Sequence, residues 1–182
     1  MSKVYFTSDF HLGHRNIIKH RPMFETIEEH NQVLIDNFNK VVRKRDIAYF
    51  VGDICFTEES LNIIKKLNYC QKKVLYLGNH DIKDTRKLLE VFDEVHAFRS
   101  FKSYWLGHCP IHPQELRNRK GQIHGHLHGS VLDDPRYFDV SLEKHNFELV
   151  DLDEIVEYFD KVEELRLLGD NRMKVVNGKV QL

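Results

Sequence analysis

Residues 123–130 read IHGHLHGS, which sets His124, His126 and His128 one residue apart. In extended chain, alternate side chains point the same way. Three imidazoles on one face would repel one another once protonated, and a neutral imidazole is the commonest metal ligand among side chains. Gly125 and Gly129 allow the backbone to turn tightly or approach another group closely. A ligand loop and a histidine-rich surface strand both fit this segment. The rest of the chain decides between them.

Other metal-capable side chains recur in one kind of place. Asp9 and His11 form D-x-H after the apolar run KVYFTSD (3–9). Asp53 closes DIAYFVGD (46–53), and Asn79, His80 and Asp81 close KKVLYLGNHD (72–81). His108 closes FKSYWLGH (101–108), and His126 and His128 form GHLH after QIHGH (122–126). Each run has the look of a strand, and in α/β sheets ligands gather at the carboxyl ends of strands. One such ending is uninformative. A whole series, all of oxygen or nitrogen type, points to a shared centre.

Those strands need elements to hold them. TIEEHNQVLIDNFNKVV (26–42) reads as a helix: Thr26 and Glu29 have capping-box spacing, and Ile27, Val33, Leu34, Phe38, Val41 and Val42 recur on one face. EESLNIIKKLN (58–68) reads as an amphipathic helix after the N-cap Thr57, and TRKLLEVF (85–92) as a short one. This strand–helix alternation argues for an α/β sheet with helical cover. The second half is richer in strands, adding RYFDVSL (136–142), a helix over 151–168, and a hairpin in MKVVNGKVQL (173–182) signalled by Asn-Gly. With no linker and no repeat, the expectation is one domain over 1–182, with two facing sheets and helices outside.

Composition narrows the function. At 41% hydrophobic and 30% charged the chain has globular character, and a formal net charge of −1 argues against broad electrostatic binding to nucleic acid or membranes. No stretch is long and apolar enough to span a bilayer, and MSKVYFTSDF lacks a signal-peptide pattern. Cys55, Cys70 and Cys109 are odd in number and form no C-x-x-C pair, so they read as reduced thiols of a cytoplasmic protein.

The ordered set D-x-H, G-D, G-N-H-D, G-H and G-H-x-H, running from Asp9 to His128, resembles the calcineurin-like metallophosphoesterases. TSDFHLGHRNII and HGHLH are similar to the small stand-alone bacterial and phage members; Phe10 inside D-x-H is bulkier than the common residue there. The resemblance implies an α/β fold, a four-layer sandwich of two mixed β-sheets flanked by helices. It implies two divalent transition metal ions, manganese first, with nickel, cobalt, iron or zinc as alternatives. One would take Asp9, His11, Asp53 and His128; the other Asp53, Asn79, His108 and His126, with Asp53 bridging. A carboxylate has two donor oxygens for bridging, Asn79 limits the negative charge, the histidines suit first-row metals, and no thiolate is required. Two such ions can hold a hydroxide and clamp a phosphoryl oxygen for in-line attack.

By the same resemblance His80 is the catalytic histidine that protonates the leaving oxygen, with Asp81 fixing its tautomer. His124 has no ligand role in the pattern and reads as a strand residue. The basic stretch His14, Arg15, Asn16, Lys19, His20, Arg21 offers substrate-phosphate contacts, strongest for His14 and Arg15. His112, Arg117 and Arg119 read as solvated rather than as a pocket rim, and Cys109 as packing. The expected activity is hydrolysis of a phosphate ester, leaning to a phosphodiester of nucleotide size. The alternatives are a phosphomonoesterase on a small ester or phosphoprotein, or a non-catalytic interaction module. The expected partner is a small phosphate ester or nucleotide, with neither a membrane nor an extended nucleic-acid groove.

Overall fold

The computed structural model describes residues 2–168 and, as backbone, 174–176 and 179–181. Its first sheet has strands β1 (Val4–Thr7), β2 (Ile47–Val51), β3 (Lys72–Tyr76), β4 (Glu94–His96) and β9 (Val150–Asp151), in the order β4-β3-β2-β1-β9. The neighbours β1, β2, β3 and β4 pair in parallel, and β9 joins β1 antiparallel. The second sheet has β5 (Phe98–Phe101), β6 (Tyr104–Gly107), β7 (Gly121–His124) and β8 (Tyr137–Asp139) in chain order. There β5 and β6 are antiparallel, whereas β6, β7 and β8 run parallel. Both sheets are therefore mixed, as expected.

Helices α1 (Ile27–Val41), α2 (Glu58–Ile64) and α3 (Thr85–Leu88) cover one face of the first sheet. Leu34, Ile35 and Phe38 of α1, Leu61 and Ile64 of α2 and Leu88 of α3 share one core with Tyr5, Ala48, Phe50 and Leu75. Thr26 caps α1 by accepting from the Glu29 N–H, while the Glu29 carboxylate reaches past it to the Glu25 N–H. A second core lies between the sheets, where Phe6, Val51, Val74 and Tyr76 meet Tyr104, Leu106, Ile123 and Phe138. Helix α4 (Leu152–Leu167) sends Ile155 and Phe159 into that same layer. Two-residue periodicity produces this division: Phe6 faces the inter-sheet core while its neighbour Tyr5 faces the helices.

The run 101–108 is not one strand. It turns at Lys102, whose φ is +50°, and Phe101 pairs back onto Tyr104. The outward row Trp105, Gln122 and Tyr137, aligned across β6, β7 and β8, is covered by the segment after β6. Trp105 Nε1 donates to Glu115 O, the Gln122 amide holds Cys109 O and Ile111 N, and the Tyr137 hydroxyl donates to Ile111 O. Strands β10 (Lys174–Val176) and β11 (Lys179–Gln181) pair antiparallel as the hairpin signal requires, and its turn, Asn177–Gly178, lies outside the described residues. Among the described residues no helix is long and apolar enough to cross a membrane.

Candidate metal centre

The loops after β1, β2, β3, β6 and β7 converge at one end of the two sheets. Asp9, His11 and His128 bring donor atoms within 4.8 Å of one another, as do Asp9, Asp53 and His108. Asp53 Oδ2 lies 3.3 Å from His108 Nε2 and 3.9 Å from His11 Nε2, so one oxygen stands between the two histidines. Asp9 Oδ1 lies 3.5 Å from His128 Nε2 and 3.7 Å from His11 Nε2. A third group joins His126 to His108 and Cys109. His126 and His128, two residues apart, thus enter different groups.

The backbone is bent to make this approach. Asp9, His11, Asp53, His126 and His128 have φ between 49° and 74°. A non-glycine residue in the left-handed region costs of order 1–3 kcal/mol, and such residues persist only where the surroundings over-determine them. Close approach adds to this at two glycines. A Cβ on Gly78 would lie 2.1 Å from Asp53 Oδ1, and one on Gly125 would lie 1.9 Å from Ser8 Oγ and 2.6 Å from Asp9 Oδ2.

Several donors here have nothing to bond. Asp9 Oδ1, both ring nitrogens of His11 and His108 Nε2 are buried without a hydrogen-bond partner. Buried polar groups are ordinarily paired, and each orphan costs roughly 1–3 kcal/mol. Divalent cations among them would satisfy all but Nδ1 of His11, and an oxygen–imidazole donor set suits a first-row metal. The remaining nitrogens are already tied down. His108 Nδ1 lies 2.8 Å from Val51 O, and His128 Nδ1 lies 2.8 Å from Glu143 Oε1. Each contact assigns the proton to Nδ1 and leaves Nε2 free, the usual arrangement of a ligating histidine.

Electrostatics agree with the geometry. Burial opposes ionisation of Asp9, but His11, His108 and His128 hold it below the usual carboxylate range. Asp53 is likewise lowered, burial being outweighed by His108 and the His80 N–H. Burial pushes the His11 ring down, toward the neutral form that binds metals, and also lowers His126. His108 is raised, because Asp53 and Asp9 outweigh its burial, and Glu143 raises His128. A cation would take the place of those protons.

His80 is exposed, stacked on Phe56 at 4.8 Å, and its N–H donates to Asp53 Oδ1 at 2.9 Å. Asn79 is exposed beside it. Asp81 does not orient the His80 ring. Its two oxygens accept from the N–H groups of Asp53, Ile54, Cys55 and Gly78, at 2.8–2.9 Å, so the carboxylate organises the loop after β2. His14 and Arg15 also part company. His14 lines a groove of about 590 Å³ with His11, Ile17, His20, Leu127, His128, Gly129, Ser130 and Glu143. Arg15 lines a separate depression with Glu28, Asn31 and Glu59, because a 3-10 helix over Arg15–His20 turns successive residues by about 120°. Arg21 is fully buried and donates to Asp9 O and Glu143, so it is no substrate contact. His124 is buried and bonded to Gly125 O, its pKa pressed down to about 4 by burial. Arg117 pairs with Glu115, Arg119 lies over Trp105, and His112 Nδ1 accepts from Gln114 N–H.

Glu143, Phe56 and Gln122 carry the surroundings of this centre and left no local signal, and Arg21, read from the sequence as part of a substrate-facing basic stretch, belongs with them. Phe56 is ringed by His11, His14 and His80 at centroid distances of 4.6–4.8 Å, yet in sequence it is one aromatic residue after Cys55. Glu143 meets His128 only through the return of the chain after β8.

Fold and site together define an α/β protein of two mixed sheets with a buried His/Asp centre fit for metal. The chain is 35% identical over 181 residues to the uncharacterized protein MJ1445 of Methanocaldococcus jannaschii, covering 93% of this chain and 98% of that protein. It belongs to the family of that protein. It is 28% identical to the Gene 66 proteins of Mycobacterium phages L5 and D29, over 72% and 90% of this chain and 80% and 99% of theirs. The crystal structure of AQ665 from Aquifex aeolicus, a protein of unknown function, matches with a TM-score of 0.70 at 27% identity, over 86% of this chain and 99% of that one. No protein-family model matches the sequence.

Proposed function

We propose that this protein is a metal-dependent phosphoesterase, of the calcineurin-like kind its motifs resemble. The observation that carries the reading is the set of buried, unpartnered donors on Asp9, His11 and His108 around a doubly placed Asp53 oxygen. Asp9, His11, Asp53 and His128 would hold one cation; Asp53, Asn79, His108 and His126 would hold the other. Bound there, two divalent ions would supply Lewis-acid stabilisation of charge on a phosphoryl oxygen.

The chain's own groups do the rest. His80, exposed at the mouth and backed by Phe56, would hold a proton for the leaving oxygen. His14, on the wall of the adjoining groove, would contact a phosphate oxygen. That groove is lined by histidine, apolar and small residues and by the acid Glu143, with no Lys or Arg, which favours a singly charged phosphodiester over a doubly charged monoester. Its volume suits a group of nucleotide size.

The test is hydrolysis of bis(p-nitrophenyl) phosphate against p-nitrophenyl phosphate. Activity should vanish with chelator and return with manganese, with nickel or cobalt as substitutes and magnesium serving poorly beside so many imidazoles. The diester should be the better substrate. Full activity in protein shown metal-free by elemental analysis would overturn the proposal; metal binding with no turnover of either ester would favour an interaction module.

A further inference from the structure

The three cysteines sit in different places. Cys55 and Cys70 are buried, while Cys109 is exposed. It directly follows His108, and its Sγ, a ring nitrogen of His108 and a ring nitrogen of His126 lie within 4.8 Å of one another. The thiol is held there by its backbone. Gln122 is fully buried, its Nε2 donates to Cys109 O at 2.9 Å, and its Oε1 accepts from Ile111 N at 2.8 Å. Tyr137 fixes the same segment through Ile111 O at 2.7 Å. The His108 ring in this group is 3% exposed, its Nδ1 is engaged by Val51 O, and its Nε2 has no hydrogen-bond partner.

We propose that Cys109 supplies a thiolate to the cation position formed with His108 and His126. That position would then favour a thiophilic divalent ion, such as zinc, cadmium or cobalt(II), over manganese. The Asp9, His11, His128 group offers only oxygen and nitrogen and has no such preference, so the two positions differ in the ions they select. On binding, the ion replaces the thiol proton, which leaves to solvent, and a sulfur–metal bond forms without any change of oxidation state. The inference rests on the two-metal reading of the centre and adds a donor to one side of it.

The test titrates the full chain, stripped with chelator, with cobalt(II) alone. The wild type should bind two ions and develop a near-ultraviolet thiolate-to-cobalt charge-transfer band. Cys109→Ser, a small change at an exposed position, should still bind cobalt and lose the band. Bound zinc should block alkylation of Cys109 by iodoacetamide, followed by mass spectrometry. Two bound cobalt ions with no band, and alkylation as fast with metal as without, would overturn the thiolate while leaving the centre intact. Failure of the wild type to bind any cobalt would overturn both.

Discussion

A carboxylate oxygen 3.3 Å from one histidine and 3.9 Å from another is placed to be shared. Asp53 has that position, and its second oxygen is engaged by the His80 N–H. If the shared oxygen binds two ions, Asp53→Asn should weaken both sites, whereas His11→Ala should weaken mainly one. Metal stoichiometry by elemental analysis reads the difference; two ions held at wild-type affinity in Asp53→Asn would contradict the bridging role. His80 calls for a different measurement, because it fills no ligand slot in the proposed centre. His80→Ala should keep both metals and lower turnover by roughly 10²–10⁴ for esters with a poor leaving group. The loss should be smaller for p-nitrophenyl esters, whose phenolate departs without a proton. Equal losses in kcat for the two classes would make His80 an electrostatic clamp and not an acid.

At the scale of elements, the centre is made by strand ends that stop within contact of one another. The loop after β7 is seated on the loop after β1, where His126 N–H donates to Asp9 Oδ2 at 3.0 Å, and Ser8 Oγ ties that loop in turn to the end of β2 by donating to Val51 O at 2.6 Å. Gly125 is the point of closest approach, since any Cβ there would collide with Ser8 and Asp9. Gly125→Ala should therefore force the two loops apart, lowering stability by roughly 1–3 kcal/mol and losing metal from the centre. Thermal unfolding and metal content check this together. An unchanged Tm with full metal content would show that the loop can yield without cost.

At the scale of the molecule, a buried cation ties the centre to the helical side. Arg21 Nη2 reaches Asp9 O and Glu143 Oε1, and its Nη1 lies 2.6 Å from His30 Nε2 on α1. A guanidinium only donates, so His30 Nε2 must accept and the ring must be neutral. Burial, followed by the Arg21 charge, presses the His30 pKa down from 6.5 to about 4. The sign of the pH effect follows. Above pH 6.5 neither folded nor unfolded His30 carries a proton, and its contribution to stability is complete. Between pH 6.5 and 4 the unfolded chain takes up a proton that the folded chain refuses, and stability falls with pH. For metal-free protein, the His30 share of that fall should be at most about 2 kcal/mol from pH 7 to pH 5. His30→Gln, which can still accept from Arg21, should flatten the profile by that amount in urea unfolding. A mutant profile parallel to the wild type would mean that His30 takes up its proton in the folded and unfolded chains alike.

The residues by themselves determined the α/β class, the helix over 26–42, the start of the helix at 58 though not its end at Ile64, and the gathering of D-x-H, G-D, G-N-H-D, G-H and G-H-x-H at strand ends. Those features are written in local periods and in side-chain types, which need no knowledge of distant partners. They could not separate β5 from β6, because a turn at a left-handed lysine has no composition signal comparable to Asn-Gly. Nor could they assign Asp81, whose neighbour in sequence is His80 but whose partners are four backbone amides brought in mainly from the loop after β2. Cys109 beside His126, Arg21 beneath Asp9 and Glu143 behind His128 were decided only by tertiary structure. The first and last are contacts between loops of different strands, 17 and 15 residues apart along the chain, while Arg21 folds back onto Asp9, 12 residues away, within the segment between β1 and α1. Such contacts depend on which strands lie next to each other and how far each runs before it turns, and packing of the two sheets sets both.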